Sequence, residues 1–273
     1  MADGGTHVGV FTKDGIVRTG FVSVLDALAD GAQDLDRRRR DIPGSGSPVD
    51  PEQLVFVPPL EPRTMLFCGR NYEDHLAETP RPRQLAPVFF SKLISSLIGH
   101  RHPIFVTPDQ DVDYEGELAV VIGRRARRVP ADEALDYVAG YTIVNDVSDR
   151  AVQHVNNQIT MGKGPDTFGP IGPYVVSRAD VGNGSGLRLR TWVNGGLRQD
   201  ASTSDLIHDV AECVAAATRT VTLIPGDVIA TGTPAGTGAY QEPPAFLQPG
   251  DSVTVEIDGL GALTNPVALD PTA

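Results

Sequence analysis

The sequence predicts a mixed α/β fold with more strand than helix, led by a small β-rich domain. Three observations carry this. Glycine and proline are plentiful, 29 and 22 of 273 residues, while aromatics make up only 6%. That balance favours short strands and many turns over a helical bundle. Short apolar runs recur between turn signals, whereas a helical period is sustained in few segments. Strands and helices do not alternate in the βαβ manner, which excludes a Rossmann-like sheet.

The elements follow in order. Residues 7–24, "HVGVFTKDGIVRTGFVSV", alternate apolar and polar around "KDG" and read as a hairpin. "SVLDALADGAQDLDRRRR" reads as an amphipathic helix, and "DIPGSGSPVDPEQ" as a linker. Residues 1–58 are therefore a small β-rich domain plus linker, and 59–273 the main body. There "TMLFCG" and "PVFFSK" read as buried strands. "NYEDHLAE" reads as a helical turn that Asn71 could cap. "TPRPRQLAP" reads as a mobile loop. "ELAVVIG" and "YTIVND" are strands, "ADEALDYVAG" a short helix ended by Gly140, and "DLIHDVAECVAAATRTV" the clearest helix. The tail alternates strands with tight turns, twice marked by "PGD".

Charge narrows the function. A formal net charge of −12 and a pI near 4.8 argue against binding nucleic acid or an anionic membrane surface. The runs Arg37–Arg40 and Arg124–Arg128 read as solvated, the first at a helix end where cations suit the dipole. Cys68 and Cys213 have no metal-type spacing and read as buried free thiols. No leader pattern and no bilayer-length apolar run is present, so a soluble cytoplasmic protein is expected.

The chemistry centres on "DVDYEGELAVVIG". Asp111, Asp113, Glu115 and Glu117 recur at every second position, so on a strand they would share one face. Glu117 leads directly into the apolar run. Buried unpaired carboxylates are costly, and a divalent cation is the simplest remedy. Asp146, ending the strand "YTIVND", is placed to supply a third ligand. Three carboxylates without nearby Cys or His favour a hard cation, Mg²⁺ or else Mn²⁺ or Ca²⁺. Lys163, set between glycines in "TMGKGPD", could bind an anion or lie in a surface turn. His75 and Glu78 stand three apart on one helical face, as a catalytic pair or an ordinary surface pair. "GTPAGTG" lacks the lysine of a phosphate loop.

Taken together, "GRNYEDHLAE", "PVFFSK", "DYEGELAVVIG", "GYTIVNDVSDRAVQ", "GKGPDTFGPIGP", "LIPGDVIATGTPAGTG" and "FLQPGDSVTVEIDGLGALTNPV" resemble the fumarylacetoacetate hydrolase family, in the family's order from Pro59 onward. The resemblance implies the family's own fold, with strands rolled around a metal site. It implies Mg²⁺ or Mn²⁺ held by Glu115, Glu117 and Asp146, and a His75–Glu78 dyad on a lid that activates water. It matches Lys163 to the family's active-site lysine, and Arg150, Gln153 and Thr233 to substrate-contacting positions. It also implies a homodimer. Two positions depart from the pattern. The aromatic residue common before "GK" is absent, and Arg70 replaces a usually apolar residue before "NY". Arg70 could meet a second anionic group of the substrate or be a surface change.

The expected activity is hydrolysis of a C–C bond in an acylpyruvate-type 2-oxo acid. Oxaloacetate-type decarboxylation, and hydration or isomerisation of an unsaturated 2-oxo acid, would use the same residues. A non-catalytic ligand-binding relative is the rival of another class, against which the complete set of site residues argues.

Overall fold

The computed structural model describes residues 6–12, 14–21, 23–24, 47–78 and 83–272. The expected hairpin forms: β1 (Gly9–Thr12) pairs antiparallel with β2 (Gly15–Arg18). Ile16 also bridges to Val49, and Phe11 packs on the ring of Tyr174. The amphipathic helix expected over 23–40 lies, from residue 25 on and with the run Arg37–Arg40, outside the described residues, as do 79–82 of the expected loop.

The main body runs β3 (Met65–Gly69), α1 (Glu73–Glu78), β4 (Val88–Ser91), β5 (Leu97–Ile98), β6 (Ile104–Val106), β7 (Val112–Asp113) and β8 (Gly116–Ile122). It continues with β9 (Val138–Asn145), β10 (Ser148–Asp149), α2 (Arg150–His154), α3 (Ile159–Lys163), β11 (Gly169–Ser177) and α4 (Arg178–Val181). Then follow β12 (Arg188–Val193), β13 (Gly196–Ser202), α5 (Val210–Thr218), β14 (Val228–Ala230), β15 (Ser252–Ile257) and β16 (Gly261–Leu269). A seven-stranded mixed sheet has the order β4-β3-β14-β8-β9-β11-β5, and a five-stranded sheet the order β13-β12-β15-β16-β6.

β8 is buried at every position because both its faces are covered. Leu118, Val120 and Ile122 join Val255, Ile257 and the apolar side of α5 in one core cluster. Ala119 and Val121 join Met65, Phe67, Val144 and Ile171 in another. A strand covered on both faces reads as a continuous apolar run rather than an alternating one. This places the acidic start of β8 deep in the molecule.

Several elements differ from expectation. "ADEALDY" is a 3₁₀ helix over Ala131–Tyr137, and Gly140 does not end it. Gly140 lies within β9, where a Cβ would stand 2.1 Å from the carbonyl oxygen of Val176. The glycine is there for close strand approach. α5 is shorter than its apolar stripe suggests because Asp209 caps it, accepting from the Glu212 amide while Glu212 reaches back. Asn71 caps nothing: its amide donates to the carbonyls of His208 and Thr231 and accepts from the His208 amide. The run Arg124–Arg128 is partly structural, with Arg127 donating to the Thr218 and Arg219 carbonyls at the end of α5. Both cysteines are buried and free. No helix among the described residues is long and apolar enough to cross a membrane.

Candidate active site

The four alternate acids do not share one strand face. β7 carries Asp113 into a separate ladder with β10, and β8 begins only at Gly116. Asp111 is exposed and Asp113 wholly buried. The break has a local cause. The Asp113 carboxylate takes the amides of Tyr114, Gly238 and Ala239 and the Arg150 guanidinium. The Glu115 amide in turn donates to the Asn145 side chain. Two acids therefore remain at the mouth of β8, and the antiparallel neighbour β9 delivers the third. One oxygen each from Glu115, Glu117 and Asp146 falls within 4.8 Å of the others, and all three residues are buried.

Three buried cations surround these acids. Lys163 Nζ donates to Glu115 Oε2 (2.8 Å), Asp146 Oδ2 (2.6 Å) and Ser148 Oγ (2.9 Å). Lys92 Nζ donates to Asp146 Oδ1 (2.7 Å) and the Val147 carbonyl (2.8 Å). The NH2 group of Arg150 lies 2.6 Å from Glu115 Oε1 and 2.7 Å from Asp113 Oδ2. Burial alone would raise Glu115, but Lys163 and Arg150 overcome it and hold the carboxyl well below its usual range. Burial would lower Lys163, but Asp146 and Glu115 keep it above its ordinary value. Burial pushes Lys92 down to about 8 against the pull of Asp146.

Glu117 is the exception. Among the described residues it makes no hydrogen bond or ion pair with these cations and accepts only the Gly232 amide, at 2.8 Å. Burial, then Asp146 and Glu115, push its carboxyl well above the usual range. Four carboxylates, with Asp113 counted, thus face three cations, and the unbalanced charge sits at Glu117. An all-oxygen donor set with one unneutralised carboxylate is what a hard divalent cation takes. The residues fit a hard divalent cation.

On α1, His75 Nδ1 lies 3.1 Å from Glu78 Oε2. A carboxylate only accepts, so Nδ1 carries the proton and Nε2 is the basic nitrogen. Glu78 Oε1 is fixed in turn by the Gly236 amide at 2.9 Å. The Tyr240 ring meets the imidazole edge-on at 6.0 Å. His75 stands close enough to Glu115 for an imidazolium at that position to lower the carboxyl's proton affinity. The base and the acids therefore belong to one site.

The remaining candidates are placed as follows. Arg150 is buried, with Nε and NH2 on Asp113 and NH1 on Gln153 Oε1. The Thr233 hydroxyl donates to the Gly116 carbonyl and accepts from Gln199. Arg70 is half-buried at the turn before α1, with φ 54°. Sequence reasoning missed Lys92 and Gln199 as parts of the site, while Asp113, which the sequence left as a solvent-side acid or a support to the ligands, is wholly buried and holds Arg150. Gln199 receives the Gly116 amide and donates to Thr233 and the Pro234 carbonyl. Its signal was absent, since it sits on a strand of the other sheet.

A family model described as fumarylacetoacetate (FAA) hydrolase C-terminal matches residues 64–268. A protein described as a mitochondrial oxaloacetate tautomerase, from Xenopus laevis, is 41% identical over 216 residues, 78% of this chain and 68% of that one. The solved structure of a fumarylacetoacetate hydrolase from Exiguobacterium antarcticum matches with a TM-score of 0.84 at 36% identity, covering 98% of this chain and 97% of that one. A 2-hydroxyhepta-2,4-diene-1,7-dioate isomerase from Mycobacterium marinum matches at 0.74 and 35%, covering 96% and 98%. The mixed, strand-rich architecture is the fold of these neighbours, as the resemblance in sequence implied.

Proposed function

We propose that this chain, which belongs to the fumarylacetoacetate hydrolase family, is a divalent-cation-dependent hydrolase that cleaves a C–C bond in a β-diketo, acylpyruvate-type 2-oxo acid. The observation that carries the reading is the Glu78-held histidine beside the acidic triad. When bound by Glu115, Glu117 and Asp146, Mg²⁺ or Mn²⁺ would supply a Lewis acid for the carboxylate and keto oxygens of the substrate. A divalent charge would also turn the excess of one carboxylate into an excess of one positive charge, the complement of a substrate carboxylate.

His75 Nε2 takes the proton of the water that adds to the distal carbonyl, and Glu78 stabilises the imidazolium formed. The C–C bond then breaks to a carboxylic acid and the enolate of pyruvate, and the proton returns from His75 to carbon. Lys163 has all three N–H bonds committed to Glu115, Asp146 and Ser148, so it acts through its charge on the developing enolate. Arg150, Gln153, Thr233 and Arg70 line the approach to substrate in this reading.

A second reading is favoured by the Xenopus relative. There His75 takes its proton from substrate rather than from water, and the product is an oxaloacetate tautomer. Decarboxylation of oxaloacetate would use the same residues. A panel of acetylpyruvate, fumarylpyruvate and oxaloacetate with Mg²⁺ separates them. Pyruvate released from either acylpyruvate supports hydrolysis. Keto–enol interconversion of oxaloacetate with neither acylpyruvate cleaved replaces it with the second reading.

We also propose a homodimer, on the family resemblance and on exposed apolar side chains in the segment 152–161 (Val152, Val155, Met161) and at Leu93 and Ile94.

A further inference from the structure

We infer that Asp113 is a positioning residue that joins the cation half of the site to the base half. Its carboxylate is wholly buried and sits where two chains of hydrogen bonds meet. On one side it takes Arg150 Nε (2.9 Å) and NH2 (2.7 Å), and the same NH2 group reaches Glu115. On the other side Asp113 takes the Gly238 amide at 2.6 Å and the Ala239 amide at 3.0 Å. These belong to the loop whose Gly236 amide holds Glu78, the partner of His75. Tyr114, next in the chain, donates its hydroxyl to the Gly236 carbonyl at 3.0 Å.

The loop is closely packed at both glycines. A Cβ on Gly238 would stand 2.2 Å from the Ala245 carbonyl oxygen and 2.8 Å from Asp113 Oδ1, and one on Gly236 would stand 2.0 Å from the Arg198 carbonyl oxygen. Asp113 and Tyr114 thus seat the 236–239 loop, the loop seats Glu78, and Glu78 fixes the tautomer of His75. The Asp113 carboxylate bonds to Arg150 and to backbone amides, not to His75. It sets where the base stands relative to Glu115. A misplacement of about 1 Å at a reacting group costs about 10²-fold in rate.

The inference rests on the functional reading above only for its kinetic test. In Asp113→Asn, kcat for the best substrate should fall by about 10²-fold with KM nearly unchanged. In a Glu78→Gln background, Asp113→Asn should add no more than about 2-fold, because the connection it serves is already broken. Tyr114→Phe removes one link to the loop without touching a buried charge, and should give the same pattern on a smaller scale. A substrate-free test uses protein labelled with ¹⁵N-histidine. The His75 signal, assigned by its loss in His75→Ala, should show the Nδ1-protonated tautomer in the native chain and a mixture in both variants. If Asp113→Asn does not fold, Tyr114→Phe decides alone. An unchanged tautomer in the variants, or an Asp113→Asn effect that multiplies in the Glu78→Gln background, overturns the inference. A native chain inactive on every substrate whose tautomer still responds to both variants overturns the functional reading instead.

Discussion

Glu117 carries the least balanced charge of the site, and its consequences are measurable. Without a cation its folded-state affinity for protons exceeds that of the unfolded chain. The folded state then binds more protons than the unfolded one. The stability this contributes is present at low pH and is lost as pH rises above the ordinary carboxyl value toward the raised one. A divalent cation must displace that proton, so its affinity should rise with pH over the same interval. The increase in melting temperature given by Mg²⁺ should be larger at pH 8 than at pH 6, and Glu117→Gln should flatten the difference. Equal responses at both pH values in the native chain would contradict the assignment. Glu117 was legible in the sequence because it leads straight into the apolar run of β8. Lys92 was not, since a lysine after "FFS" reads as the solvent end of a strand. Only its arrival at Asp146, 54 positions away, gives it meaning. Asp113 was legible as an acid near the site, but its partners come from α2 and from the 238–239 loop, which no local pattern connects to it.

At the scale of elements, the site is built where chain segments are forced close together. Asn71 ties the start of α1 to His208 and Thr231. Gln199 ties the 233–234 loop to the first residue of β8. α5 lies behind these contacts, and its start is fixed by the reciprocal bonds of Asp209 and Glu212. Asp209→Ala should lower stability by about 1 kcal/mol in a urea titration and leave turnover within about 2-fold of native. A much larger loss of turnover at full folding would mean that α5 positions the site more directly than its capping suggests. Strands and the long helix could be read from apolar period and turn residues. Gly140 was misread because a glycine after a short helical pattern usually ends it. Here the constraint comes from Val176 on the neighbouring β11, a contact far away in sequence.

For the whole molecule, the charge of −12 is reconciled with an anionic substrate by the interior. Lys92, Arg150 and Lys163 are all buried and, with a divalent cation, make the site positive inside an acidic surface. The order of family motifs made the fold legible over most of the chain, whereas the acyl side of the substrate left no comparable pattern. The proposed homodimer should appear as twice the chain mass of 29.0 kDa by light scattering, and a charged substitution at Met161 should weaken it. A monomer at all concentrations would refute it. The central claim, that a divalent cation and His75 together cleave an acylpyruvate, is tested most directly by following pyruvate released from acetylpyruvate. The native chain should release pyruvate with Mg²⁺ and lose this activity with EDTA. His75→Ala should lose about 10²-fold to 10⁴-fold of the rate while still gaining thermal stability from Mg²⁺. Native-level release by His75→Ala, or undiminished release by the native chain in EDTA, would contradict the account.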